Sequence, residues 1–251
     1  MQHFAPIEHI EPYLTTQDAP ALWDRLHHDL NNTGFRRVFY AASQRRQANK
    51  ARSPRDTIVK SSYGAEFDRF FVDGAAFTAD VNTQWAIDSQ GAVSWDMTRR
   101  LKANGQLSTR QIAIHERCLD LGLINGYTIS LRNYGAGLIT GFGLSADDIT
   151  RQKEVDDVWT EHQKLLLCVL SAFDLSTRML PQVPNGEELT SRQCEVLAWV
   201  GDGKTIDDIA EIMGLHRSTI VKHMKEARQR LRVTNTLQAV MRATLQGQIF
   251  R

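Results

Sequence analysis

Cysteine is scarce in this chain, and the three present, Cys118, Cys168 and Cys194, are odd in number, far apart and without a CxxC partner. That spacing excludes a disulfide framework and gives no basis for a zinc site, so no metal is expected. Long apolar runs are also missing. The longest, LLLCVLSAF at 165 to 173, is too short to span a bilayer, and MQHFAPIEHIEPYLTT has no basic segment leading into an apolar one. These absences read as a soluble cytoplasmic protein. The GxSxG, HExxH and P-loop patterns do not occur, so the chain is not expected to be an enzyme. The adjacent His27 and His28, and the His115-Glu116 pair, fall in helical stretches and are read as packed or solvated. A phosphorylated receiver would need acids after its first strand; here Ala41-Ala42-Ser43 closes that strand.

Net charge is small as well, only +1 over 251 residues, but it is unevenly placed. From Gly214 onward eight basic residues face one acid, Glu226, a local +7 on a chain whose remainder is acidic. A basic end on a near-neutral protein is the footprint of a terminal module that touches phosphate. At 42% apolar and 24% charged content the composition is globular, with enough chain for two cores of unequal size. The boundary falls at LPQVPNGEE, where two prolines and an Asn-Gly pair follow a helical stretch. The domains are therefore 1–175, a linker at 176–188, and 189–251. In the first, helical spacing occurs at 19–32, 63–72, 108–121 and 146–174. Strands are expected at 36–43, 126–133 and 137–145, the last two joined by a hairpin at Tyr134-Gly135-Ala136. This predicts an α/β/α sandwich with a mostly antiparallel sheet, able to enclose an apolar cavity.

The second domain reads as an all-α four-helix unit punctuated by its caps. Thr190 with Gln193, Thr205 with Asp208, and Asn235 with Gln238 stand three residues apart, as capping boxes do. Gly203 is placed to stop the first helix, and Gly214-Leu215 makes a short turn between the second and third. The third helix begins near Arg217, with Ile220, Met224, Ala227 and Leu231 spaced as a buried face. Arg217, Ser218, Val221, Lys222 and Lys225 then cluster on its outer face near the N-terminal end. Two short helices about a glycine turn, the second one basic, form a helix-turn-helix whose second helix enters the major groove. Lys can donate to guanine and Val221 can touch a thymine methyl, while Lys204, Thr205 and Arg228 are placed to hold phosphates. The apolar residues of the last helix are Leu237, Val240, Met241 and Leu245.

From Leu189 to Val240 this sequence closely resembles the DNA-binding domain of LuxR-type transcription regulators, through its LT, EVL-W, GKT, DIA, G-L, ST and QAV positions. The resemblance implies that Val221, Lys222 and Lys225 face bases and that Trp199, Lys204 and Thr205 lie near the DNA backbone. Gln193 stands for a usual Glu and His216 for a usual Ser at the cap of the third helix. Histidine is the weaker cap, so that helix is expected to gain stability from its DNA contacts.

A sparser series, Tyr63, Phe67, Phe71, Asp80, Trp95 and Gly126, resembles the acyl-homoserine-lactone-binding domain of quorum-sensing LuxR-type receptors. By that resemblance Asp80 accepts the ligand's amide N–H, and the site comprises Tyr63, Phe67, Phe71, Asp80 and Trp95. Phe67 stands where the family has a donor Trp, Phe71 for a Tyr and Val81 for a Pro. The reading is a regulator that binds a near-palindromic promoter as a homodimer, with no cofactor beyond a small autoinducer, an acyl-homoserine lactone or analogue. Its alternative is a regulator of the same type that is ligand-independent or senses a non-lactone signal or a protein partner. Dimerisation is carried over from the family, through the 146–174 helix and the last helix.

Overall fold

The computed structural model describes residues 6–44, 57–132, 138–146, 151–180 and 187–250. It divides into two compact units, Met1–Ser176 and Thr177–Arg251.

The first unit opens with α1 (Pro6–Thr15) and α2 (Ala19–Asn31). Asp18 caps α2 by accepting from the Ala21 amide, and Tyr13 donates to the buried Asp29, which also receives Arg25. Strands β1 (Arg37–Gln44) and β2 (Thr57–Ser61) follow, then a short α3 (Ala65–Asp68) that widens into a π-helical turn over Arg69–Asp73. Next come α4 (Val81–Asp88), β3 (Gly91–Ser94), α5 (Asp96–Ala103) and α6 (Thr109–Asp120). The unit closes with β4 (Gly126–Arg132), β5 (Leu138–Ser145) and the long α7 (Gln152–Met179).

Among the described residues the five strands form one sheet in the order β2-β1-β5-β4-β3, antiparallel at every pairing. The antiparallel α/β/α expectation therefore holds, with two more strands than the sequence suggested. Both additions, β2 and β3, are short edge strands without a buried position. Helix α3 begins at Ala65, so Tyr63 precedes it instead of sitting on it as the 63–72 span implied, because Gly64 adopts a positive φ there. Helix α7 runs to Met179, so the start of the expected 176–188 linker is helical. Residues 181–186 and the expected hairpin Tyr134-Gly135-Ala136 lie outside the described residues.

Strand alternation assigns the two sheet faces different side-chain sizes. On one face Val38, Tyr40, Tyr127, Ile129, Phe142 and Leu144 are all buried. There Tyr40 and Phe142 meet Phe173 of α7, the Tyr40 hydroxyl and Thr140 both donate to Asp174, and Tyr127 stacks on Trp159 at 4.6 Å. Asp174 is a buried carboxylate with two hydroxyl donors, which fixes α7 across β1 and β5. On the other face, beside Phe39 and Ile139, the strands present Ala41, Ser43, Thr128, Ser130, Gly141 and Gly143, too small to fill the space beneath α3 and α4.

The second unit contains α8 (Ser191–Gly201), α9 (Ile206–Met213), α10 (Arg217–Arg230) and α11 (Thr236–Leu245). All three expected capping boxes form. Ile220, Ala227 and Leu231 are fully buried and Met224 packs beside Ile220, the inward face expected for α10. The inward residues of α11 are Ala239, Ala243 and Val240, whereas Leu237, Met241 and Leu245 are exposed.

Candidate functional site

The cavity under the small-residue face has a volume of about 130 Å³ and gathers all five expected ligand residues, Tyr63, Phe67, Phe71, Asp80 and Trp95. They arrive from four separate elements of chain. Tyr63 leads into α3, and Phe67 and Phe71 hang from α3 and its π turn. The extra residue of a π turn re-aims the side chains that follow it. Phe67 and Phe71 stack at 4.7 Å, and Phe39 of β1 stands edge-on to both at 5.7 and 5.6 Å. Tyr63 is edge-on to Phe67 at 4.9 Å, and its hydroxyl lies against β5 at Gly143, where a Cβ would come within 2.6 Å of it. Phe39 was not foreseen. Its signal was available in RRVFYAAS, where the residue beside Tyr40 must point to the opposite face.

Asp80 is the N-cap of α4. Its Oδ2 accepts from the Thr83 amide at 2.7 Å and the Thr83 hydroxyl at 2.9 Å. Burial raises its pKa above the ordinary carboxylate value, with the Thr83 bonds and the Asn82 amide pulling the other way. A single carboxylate is thereby fixed by helix-capping geometry at an apolar cavity, where it can accept a hydrogen bond from a ligand N–H or O–H. Trp95, the N-cap of α5, donates its indole N–H to Thr128 at 3.0 Å, so it presents a ring to the cavity while its donor is engaged. Gly126 lies under that ring, and a Cβ there would sit 2.8 Å from it.

Three further lining residues were not anticipated as site residues. The Thr98 hydroxyl donates to Asn82 at 3.3 Å. Burial, reinforced by Asp80, pushes the Cys118 thiol up to about 12, which keeps it protonated. His115 also lines the cavity, and burial with the nearby Lys102 and Arg99 lowers its pKa, favouring the neutral ring. Among the described residues no group of three or more His, Cys, Asp or Glu could hold a metal ion, and no helix is long and apolar enough to cross a membrane.

In the second unit, Gly214 closes α9 with φ +62, the left-handed conformation of a helix stop, and α10 begins three residues later. His216 caps α10 with its own ring, Nδ1 accepting from the Ser218 amide at 3.3 Å and meeting the Ser218 hydroxyl at 2.7 Å. The imidazole thus supplies the acceptor that the usual Ser would. Ser218, Val221, Lys222 and Lys225 are exposed along the start of α10, with Lys222 3.9 Å from Glu226. Lys204 and Thr205 are exposed at the start of α9.

Three expected contacts occupy less open positions. Arg217 is exposed but held by Asp207 of α9, with Nη1 at 2.7 Å from both carboxylate oxygens. Arg228 is half-buried and donates to the Thr236 hydroxyl at 2.8 Å. Trp199 is half-buried against the Val196, Ile209 and Ile220 core.

Comparison with known proteins agrees with both units. Residues 18–176 match the autoinducer binding domain, and residues 187–243 match the bacterial regulatory proteins of the luxR family. The transcriptional activator VanR of Vibrio anguillarum is 25% identical over 197 residues, covering 77% of this chain and 78% of that protein. The transcriptional activator LuxR of Aliivibrio fischeri is 22% identical over 197 residues, covering 77% and 76%. A structure of SdiA in complex with octanoyl-rac-glycerol shares the fold at a TM-score of 0.53 and 16% identity, covering 98% of this chain and 97% of that one.

Proposed function

Because the chain belongs to the luxR family of bacterial regulatory proteins and carries their autoinducer-binding domain, we propose that it binds a near-palindromic promoter site as a homodimer under the control of a small signal held in the sensor cavity. The observation that carries this reading is the convergence of Tyr63, Phe67, Phe71, Asp80 and Trp95 on one cavity. An acyl-homoserine lactone or an analogue fits its chemistry: the carboxylate of Asp80 accepts an amide N–H, and the apolar lining takes an acyl chain. SdiA, of like fold, holds an octanoyl glycerol, a ligand of the same general build.

On the DNA side, Val221, Lys222 and Lys225 read base edges from α10, with Arg217 and Ser218 beside them. Trp199, Lys204, Thr205 and Arg228 lie toward the phosphates. The apolar stripe of Leu237, Met241 and Leu245, 58 to 70% exposed, supports pairing of two chains through α11. Paired recognition helices would meet half-sites about one helical turn, ~34 Å, apart. Filling the cavity completes the core of the sensor unit and favours the DNA-binding arrangement.

The test is DNA binding by the full chain, with and without added signal, alongside mass spectrometry of small molecules that co-purify. Ligand-dependent footprinting with a stoichiometric bound molecule is expected. Unchanged footprinting and an empty protein would support the ligand-independent alternative.

A further inference from the structure

Several polar side chains that line the cavity are spent on one another. The Trp95 indole donates to Thr128, the Thr83 hydroxyl to Asp80, the Thr98 hydroxyl to Asn82 and the Thr57 hydroxyl to Ser43. His115 is different. Its ring lines the cavity half-buried, yet among the described residues neither nitrogen has a hydrogen-bond partner. Burial with the nearby Lys102 and Arg99 favours the uncharged ring, which carries one N–H donor and one acceptor nitrogen.

The place of that ring follows from α6. His115 and Cys118 stand three residues apart, on one face of the helix and about 5–6 Å from each other. Both line the cavity, and Cys118 is near enough to Asp80 for the carboxylate to raise its thiol pKa. His115 therefore lies about one helical turn from a residue that borders Asp80. From the other side, Thr98 and Asn82 tie α5 to the start of α4, and Arg99 and Lys102 of the same α5 are close to His115. Asp80, Asn82, Thr98 and His115 thus gather at the end of the cavity where α4, α5 and α6 meet.

We infer that His115 is a specificity-determining residue of this cavity: a ligand that gives an N–H to Asp80 sets a carbonyl or hydroxyl oxygen of its head on the His115 ring, and acyl amides with a polar head are selected over those with a hydrocarbon one. This rests on the reading of the cavity as the signal site and assigns a second polar contact within it. The discrimination comes from desolvation. A bound hydrocarbon head strips water from the imidazole and returns no partner, whereas an oxygen acceptor replaces the lost bond.

A matched pair of probes isolates the head: N-hexanoyl-homoserine lactone and N-cyclopentylhexanamide share chain, amide and ring size, and only the first has ring oxygens. Their dissociation constants are measured by calorimetry on the full-length protein, in the wild type, in His115→Phe, which keeps a planar ring without nitrogen, and in His115→Gln, which keeps a donor and an acceptor. The preference for the lactone is expected to fall by roughly 5- to 100-fold in His115→Phe and to be largely retained in His115→Gln. A cavity that is merely loosened weakens both probes together, so the ratio reports the contact and not the packing. Thermal melts identify a Phe variant that fails to fold, in which case His115→Leu supplies the comparison.

A ratio unmoved by the loss of the ring nitrogens, or lost equally in the Phe and Gln variants, overturns the inference and leaves the cavity as the signal site. Binding of neither probe overturns the inference as well. If Asp80→Asn then also leaves DNA binding and stability unchanged, the signal-site reading falls with it.

Discussion

Gly143→Ala tests whether the cavity exists because β5 withholds side chains from one face. A Cβ at this position would lie 2.6 Å from the Tyr63 hydroxyl and 3.7 Å from the Phe39 Cβ. Tyr63 cannot simply withdraw, because its ring is wedged edge-on against Phe67 at 4.9 Å and tilted against Phe39 at 6.1 Å. Overpacking of this kind costs about 1–3 kcal/mol. Gly141, two residues earlier on the same face, supplies the contrast. A Cβ there meets only the Ala86 Cβ at 3.7 Å and the Ile129 carbonyl oxygen at 3.9 Å, both ordinary contacts. Gly141→Ala should therefore cost less than ~1 kcal/mol, since alanine also restrains the unfolded chain.

Two units need not unfold in one transition. Hydrogen exchange across a urea gradient, read on β1 and β5 peptides, reports the sensor unit alone. Adding Tyr63→Phe removes the clashing oxygen and leaves the ring carbon 3.6 Å from the new methyl. A double-mutant cycle should then recover most of the loss. Equal costs for Gly141→Ala and Gly143→Ala, or no recovery in the double variant, would refute the argument that Tyr63 and Gly143 set the cavity floor.

The remaining predictions concern single side chains. Burial raises the pKa of Asp80 above its ordinary value of 3.8, so across the window above 3.8 the unfolded chain has released a proton that the folded one retains. Stability should fall as pH rises through that window, and Asp80→Asn should flatten this slope in a pH series of urea melts. Lys225→Ala should cost roughly 1–3 kcal/mol of specific DNA binding by titration on the natural site, with a smaller effect on random DNA. Glu187, only 3% exposed, accepts from Gln246 at 2.7 Å and pairs with Arg242 at 3.3 Å. Glu187→Ala strands both partners and should destabilise the DNA-binding unit by about 3–5 kcal/mol, leaving sensor peptides unchanged in exchange experiments. Glu substitutions at Leu237 and Met241 should yield monomers in sedimentation, and dimers that persist would remove α11 from the interface.

What was legible in the sequence followed the range of the interaction that makes each element. The second unit was readable almost residue by residue because a capping box is written within four positions, and Thr190, Thr205 and Asn235 each found their partner. The edge strands Thr57–Ser61 and Gly91–Ser94 were not, since each pairs with a strand far along the chain and carries no buried alternation of its own. Helix α4 was missed for a related reason. It is eight residues long with little amphipathic pattern, and it is held by the Asp80 cap and by Ser130 donating to the Ala86 carbonyl.

The site divides along the same line. Asp80 and Trp95 were found through the family resemblance, yet the space between them is made by residues that look unremarkable singly. In YAAS and TGFG the bulky positions Tyr40 and Phe142 alternate with Ala41, Gly141 and Gly143, and only the strand period turns that alternation into one packed and one vacant face. A one-residue slip of β5 against β1 would bring Phe142 into the cavity and Gly143 against α7, losing the core and the cavity together. The register that buries Phe142 beside Phe173 is thus the same register that opens the cavity, so the sensor unit acquires its site from the packing of its opposite face.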